Sequence, residues 1–106
     1  MNMSATSLVE ASARRLFPDL TLEEVWVELL LERAQKNLIK YKAMARQFEA
    51  KYGQDFGAFR QQVLSSEPPF EVEQDYFDWE LVVTGIGDME EEIERLRALR
   101  RRPGCS

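Results

Sequence analysis

The sequence predicts an all-α protein, and three observations carry that prediction. Glycine (5) and proline (4) are scarce among 106 residues, while Leu, Glu, Arg and Ala, all good helix formers, dominate. Apolar residues recur at intervals of three and four over two long stretches, the period of a helix with one face in a core. No segment alternates apolar and polar residues for long enough to make a strand. "ELVVTGI" comes nearest, and the helical register on either side claims it.

Four elements follow in order. Residues 4–17 place Leu8, Val9, Ser12 or Ala13, and Leu16 at helical spacing and stop before Pro18, whose ring disfavours a helical residue before it. This is a short N-terminal helix. "DLTLEE" then offers Thr21 as an N-cap with Glu24 three residues on, a capping box. Neither glycine nor proline interrupts the chain from there to Gly53, which sits where a left-handed C-terminal residue belongs. Trp26, Leu30, Ala34, Leu38, Tyr41, Ala45, Phe48 and Tyr52 recur by threes and fours, so a helix over 21–52 is expected. At 1.5 Å per residue it is about 46 Å long.

Asp55 can cap "FGAFRQQVL", a short connecting helix with Phe56, Phe59 and Val63 on one face. "SSEPPF" breaks the chain again. A second long helix is expected over 71–102, with Tyr76, Trp79, Val83, Ile86, Met89, Ile93, Leu96 and Leu99 as its core face. Gly85 and Gly87 lie inside it, each costing about 1 kcal/mol relative to alanine. The apolar register passes through them, which predicts a continuous helix with a close crossing or slight kink there.

Two long helices joined by a short one make an antiparallel hairpin, a single domain over 1–106 with loose ends at 1–3 and 103–106. Around "LEEVWVELLLE", Leu22, Val25 and Leu29 point one way, Leu30, Ala34 and Leu38 another, and Leu31 further round. A helix apolar around most of its circumference is contacted on more than one side, so the expected form is a homodimer with a bundle-like core.

Charge is unevenly placed within the net −5. Residues 1–66 hold eight acids and nine bases. Residues 67–94 hold eleven acids and no base, and residues 95–106 hold five arginines and no acid. Acids early and arginines late in a helix complement its dipole; the acidic stretch also suits a basic partner and repels nucleic acid.

Several functions are disfavoured. With no histidine, neither a Ser–His nor a Cys–His nucleophile can be built. The single cysteine, Cys105, precludes an internal disulfide. Glu71, Asp75 and Asp78 fall on adjacent turns, but the facing helix supplies Lys36, Lys40, Lys42 and Arg46 rather than further ligands, so no metal or other cofactor is expected. No apolar run approaches a membrane span and the start lacks a signal peptide's features, which predicts a cytoplasmic protein without membrane partners.

What remains is binding. "DYFDWE" places Asp75, Tyr76, Phe77, Asp78, Trp79 and Glu80 together. On a helix Tyr76 and Trp79 share the core face, while Phe77 and Leu81 make a second apolar strip suited to a partner protein. An alternative places nucleic acid on the tail arginines Arg95, Arg97, Arg100, Arg101 and Arg102. A structural subunit of a larger assembly is a third reading.

The order "KYGQDFGAFRQQV", "DYFDWE", "IERL" resembles small helical proteins of archaea and bacteria in which a long charged helix precedes a K-Y-G turn, a short F-x-x-F helix and a D-Y-F-D-W-E helix start. Such proteins look like the antitoxin-type partner of a small toxin encoded next door. The resemblance covers about residues 36–96 and implies an all-helical fold, no catalytic residue, and a toxin as partner. The glycines at 85 and 87 and the longer N-terminal segment depart from that pattern.

Overall fold

The first helix, α1 (Ala5–Leu16), is capped by the Ser4 hydroxyl, which accepts the Ser7 amide, and it ends with the Phe17 amide donating to the Ala13 carbonyl. The computed structural model describes residues 4–100; the ends expected to be loose, together with Arg101, Arg102 and Cys105, lie outside the described residues. The capping box forms at the start of α2 (Leu22–Tyr52). The Thr21 hydroxyl accepts the Glu24 amide at 3.2 Å, and the Glu24 carboxylate accepts the Thr21 amide at 2.9 Å. Gly53 ends α2 at φ 65°, a left-handed conformation that a side chain would strain.

Asp55 caps α3 (Phe56–Leu64) by accepting the Ala58 amide at 2.8 Å. The last helix, α4 (Phe70–Arg100), begins one residue earlier than the sequence suggests. The Pro69 carbonyl accepts the Glu73 amide there, and a proline loses nothing at a helix start, where amides have no intrahelical partner. Glu71 and Glu73 occupy the first turn and Arg97 and Arg100 the last, complementing the dipole.

The described chain is all-α. Lys51 meets Asp75 at one end of the α2–α4 pair and Glu28 meets Arg100 at the other, so the two long helices run antiparallel. α3 packs against α4 at the closed end, and α1 lies beside the start of α2. The molecule measures 65 × 36 × 18 Å with a radius of gyration of 20.4 Å. A compact chain of this length has about 13 Å. At the described residues no helix is long and apolar enough to cross a membrane.

A rod this thin has two cores. At the open end Leu31 and Ala34 of α2 meet Ile93 and Leu96 of α4, with Leu38 and Met89 beside them. At the closed end Phe59 and Val63 of α3 meet Tyr76 and Trp79, surrounded by Phe48, Tyr52, Phe56 and Val72. The expected core faces need correction at their margins. Trp26 and Leu30 are each 58% exposed, and Val25 and Leu31 are buried instead. Each four-residue step advances 400°, so Trp26–Leu30–Ala34–Leu38 walks about 120° round the helix and cannot all face α4. In α4 Val82 is buried, while Val83 and Leu99, both expected in the core face, stay 38% and 37% exposed.

α4 is helical through both glycines. At Gly85 an added Cβ would lie 3.1 Å from Tyr41 Cε2, so the missing side chain admits the tyrosine ring of α2. At Gly87 an added Cβ meets nothing within 4 Å. Gly87→Ala is therefore expected to stabilise by up to about 1 kcal/mol, a rise in Tm of roughly 4–8 °C. Gly85→Ala should gain clearly less, and Gly85→Val should fall below the parent. Equal gains from alanine at both sites in thermal denaturation would show that the Tyr41 contact is not tight.

Candidate protein-interaction surface

The stretch "DYFDWE" is split by the 100° step of the helix into an inner and an outer set. Trp79 is 1% exposed: Phe48 stacks on it at 5.4 Å, Phe56 meets it edge-on at 5.4 Å, and Phe59 leans on it at 5.1 Å. Tyr76 stacks on Phe56 at 5.8 Å, and its hydroxyl donates to the Glu80 carboxylate at 3.1 Å. Both rings belong to the interior of the chain itself. Phe77 stands outside, its ring edge-to-face with Tyr76 at 5.4 Å, and half exposed. Asp78 and Glu80 are exposed, Asp78 accepting from the Gln74 amide at 3.2 Å.

Asp75 has a different task. Its carboxylate, 16% exposed, takes the Lys51 ammonium at 2.6 Å and accepts the Tyr52 hydroxyl in a short hydrogen bond. It thereby ties the end of α2 to the start of α4. The bond from Lys51, then the one from Tyr52, hold the Asp75 carboxyl below the usual carboxylate range. The same bond raises Lys51, while burial and then the bond to Asp75 raise Tyr52. A carboxyl lowered by folding adds stability above its unfolded pKa and loses it as pH falls through the folded value. The raised Lys51 and Tyr52 add stability below their unfolded values and lose it as pH rises through the folded ones. Stability should thus drop as pH goes below about 4 and again above about 10. In Asp75→Asn the acid-side loss from this clasp should be absent. Urea midpoints measured against pH for parent and variant check this; parallel profiles would remove the clasp from the account.

Seven residues before Phe77 lies Phe70, and four after it Leu81. At 100° per residue the three fall within about 40° of one line along α4. They are 81%, 49% and 71% exposed, on the side of the helix opposite the buried Trp79. Glu73, Asp78, Glu80 and Asp88 surround this strip, and residues 67–94 contain no base to neutralise them. The α4 outer face is thus an exposed apolar strip within a rim of acids. "SSEPPF" carries the signals of a chain break, which hides Phe70 in the sequence; the helix starting on it puts it in line.

Of the tail arginines, Arg95, Arg97 and Arg100 lie among the described residues. Arg95 pairs with Glu92 at 2.6 Å and Glu91 at 4.0 Å, and Arg100 reaches Glu28 at 3.4 Å. Arg97 borders a side groove with Gln35 and Leu38. Among the described residues no three acid or cysteine side chains stand together as metal ligands. Of the run Lys36, Lys40, Lys42, Arg46 and Lys51, only Lys51 pairs with an acid of α4 among the described residues. Comparison with family models, curated proteins and solved structures finds no match.

Proposed function

We propose that this protein is a non-catalytic helical hairpin that binds a basic partner protein on the outer face of α4. The observation that carries the reading is the exposed line Phe70–Phe77–Leu81, set among acids and left uncovered by the described residues. The acids accelerate encounter with a positive surface, and Phe77 and Leu81 supply the apolar anchor that holds it. The motif resemblance favours one form of this function, the antitoxin half of a toxin–antitoxin pair. A toxin that acts on RNA needs a basic face, and an acid-rimmed strip is complementary to such a face.

The test is co-expression with the product of the adjacent gene, followed by growth measurement and light scattering of the purified species. A stable complex that abolishes the neighbour's toxicity supports the reading. Phe77→Ala should then weaken binding by about 2 kcal/mol, roughly 30-fold in Kd, with little change in folding stability. Association should slow as salt is raised. A partner that binds through an acidic face, or a Kd unmoved by Phe77→Glu, would overturn the assignment.

A further inference from the structure

The other end of the molecule presents a separate problem. α1 is a 12-residue helix with no buried residue. It meets α2 through Glu10, Ala13 and Arg14, which face Leu22 and Val25 across a cleft. Its apolar residues Leu8, Val9 and Leu16 are 53%, 58% and 75% exposed. A helix this short is marginal in water unless an apolar face is buried. Across a five-residue link, α2 exposes Trp26, Leu29 and Leu30 at 58%, 47% and 58%. Near Trp26 on the same helix lies a shallow hollow lined by Leu29, Leu30, Glu32, Arg33 and Lys36.

We infer that a second copy of this chain covers this N-terminal end, making the protein a two-fold dimer through α1 and the first half of α2. Charge selects the occupant. Residues 4–37, which carry α1 and the first half of α2, mix six acids with four bases, so two such ends meet with little net repulsion. The α4 face, with eleven acids over 67–94 and no base, repels its own copy. Shape agrees: knob and hollow lie about one turn apart on the same helix, so one two-fold axis seats Trp26 of each copy in the hollow of the other. Arg33 then lies in reach of the indole face.

The area is also adequate. At roughly 100 Å² each, the six apolar side chains supply on the order of 600 Å² per copy, and rim residues bring this near the ~800 Å² per partner of a standard interface. This inference is independent of the one made for α4. It leaves the Phe70–Phe77–Leu81 strip open on both copies.

The test is the mass of the full chain by light scattering or sedimentation across a concentration series. The expected species is twice the 12.4 kDa of one chain. Trp26→Glu should weaken association at least about 100-fold while helicity by circular dichroism is retained. Leu16→Glu, on the other helix, should weaken it as well and serves if Trp26→Glu folds poorly. Phe77→Glu should leave the mass unchanged. In the parent, acrylamide should quench tryptophan emission more on dilution, as Trp26 becomes exposed. A chain that stays monomeric at 100-fold the concentration needed for the assay, or a dimer broken by Phe77→Glu and indifferent to Trp26→Glu and Leu16→Glu, overturns the inference.

Discussion

Trp79→Ala is expected to destabilise the fold by about 3–5 kcal/mol, the range for deleting a buried large aromatic side chain. Trp79 is 1% exposed and joins three helices: Phe48 and Tyr52 approach from α2, Phe56 and Phe59 from α3 or its first turn. The loss has two parts, the transfer of the indole from the interior and the cavity left behind. Collapse can fill little of that cavity, because the surrounding rings are themselves fixed, Tyr52 against Phe59 at 4.3 Å and Phe56 against Tyr76 at 5.8 Å. Domains of this size are stable by only about 5–15 kcal/mol, so the variant should lie near the edge of folding. Urea denaturation followed by circular dichroism measures it. A loss under about 1 kcal/mol would mean that the aromatic cluster is not the main stabiliser of the closed end.

The same cluster explains how a buried tryptophan serves an exposed phenylalanine. Tyr76 and Trp79 fix the rotation of α4 about its axis, and with it the direction of every other residue. Phe77 is one step from Tyr76 and touches it edge-to-face, so its outward position follows from its neighbour's inward one. A change at Trp79 should therefore impair partner binding only as far as it unfolds or rotates α4. A change at Phe77 should impair binding with the fold intact.

Helix boundaries were legible because they rest on local chemistry. Thr21 with Glu24, Gly53 and Asp55 each act within a few residues of the chain, and each cap forms. The core faces were legible only in outline. Leu29, Leu30 and Leu31 span 200° of the helix, and sequence alone gives no reason to bury the third rather than the first two. That choice is made by Ile93 and Leu96, sixty residues away. Gly85 likewise has a meaning only beside Tyr41, and Asp75 only beside Lys51 and Tyr52. The outer strip of α4 was half visible as Phe77 and Leu81. Phe70 joined it once the helix was seen to start there, and Trp79 and Tyr76 left the set of surfaces open to a partner.

Leu31→Ala is expected to cost about 2–4 kcal/mol and to act at the opposite end of the rod. Leu31 is 2% exposed among Ala34, Ile93 and Leu96, an aliphatic cluster with no third helix closing over it as α3 closes over Trp79. The truncated site can therefore relax by letting the two helices separate locally, which keeps the cost below the upper end of the range. Such separation should appear in hydrogen exchange as lost protection in the first half of α2 and the last third of α4, with residues 48–79 still protected. Between the two ends the helices meet where the Tyr41 ring packs on Gly85, and Ala45 and Val82 are buried in the same stretch. If the second copy covers α1 and Trp26, protection of the open end of the parent should also fall on dilution, because association stabilises whatever it binds. Uniform loss of protection along both helices in Leu31→Ala would show instead that the rod unfolds as one cooperative unit.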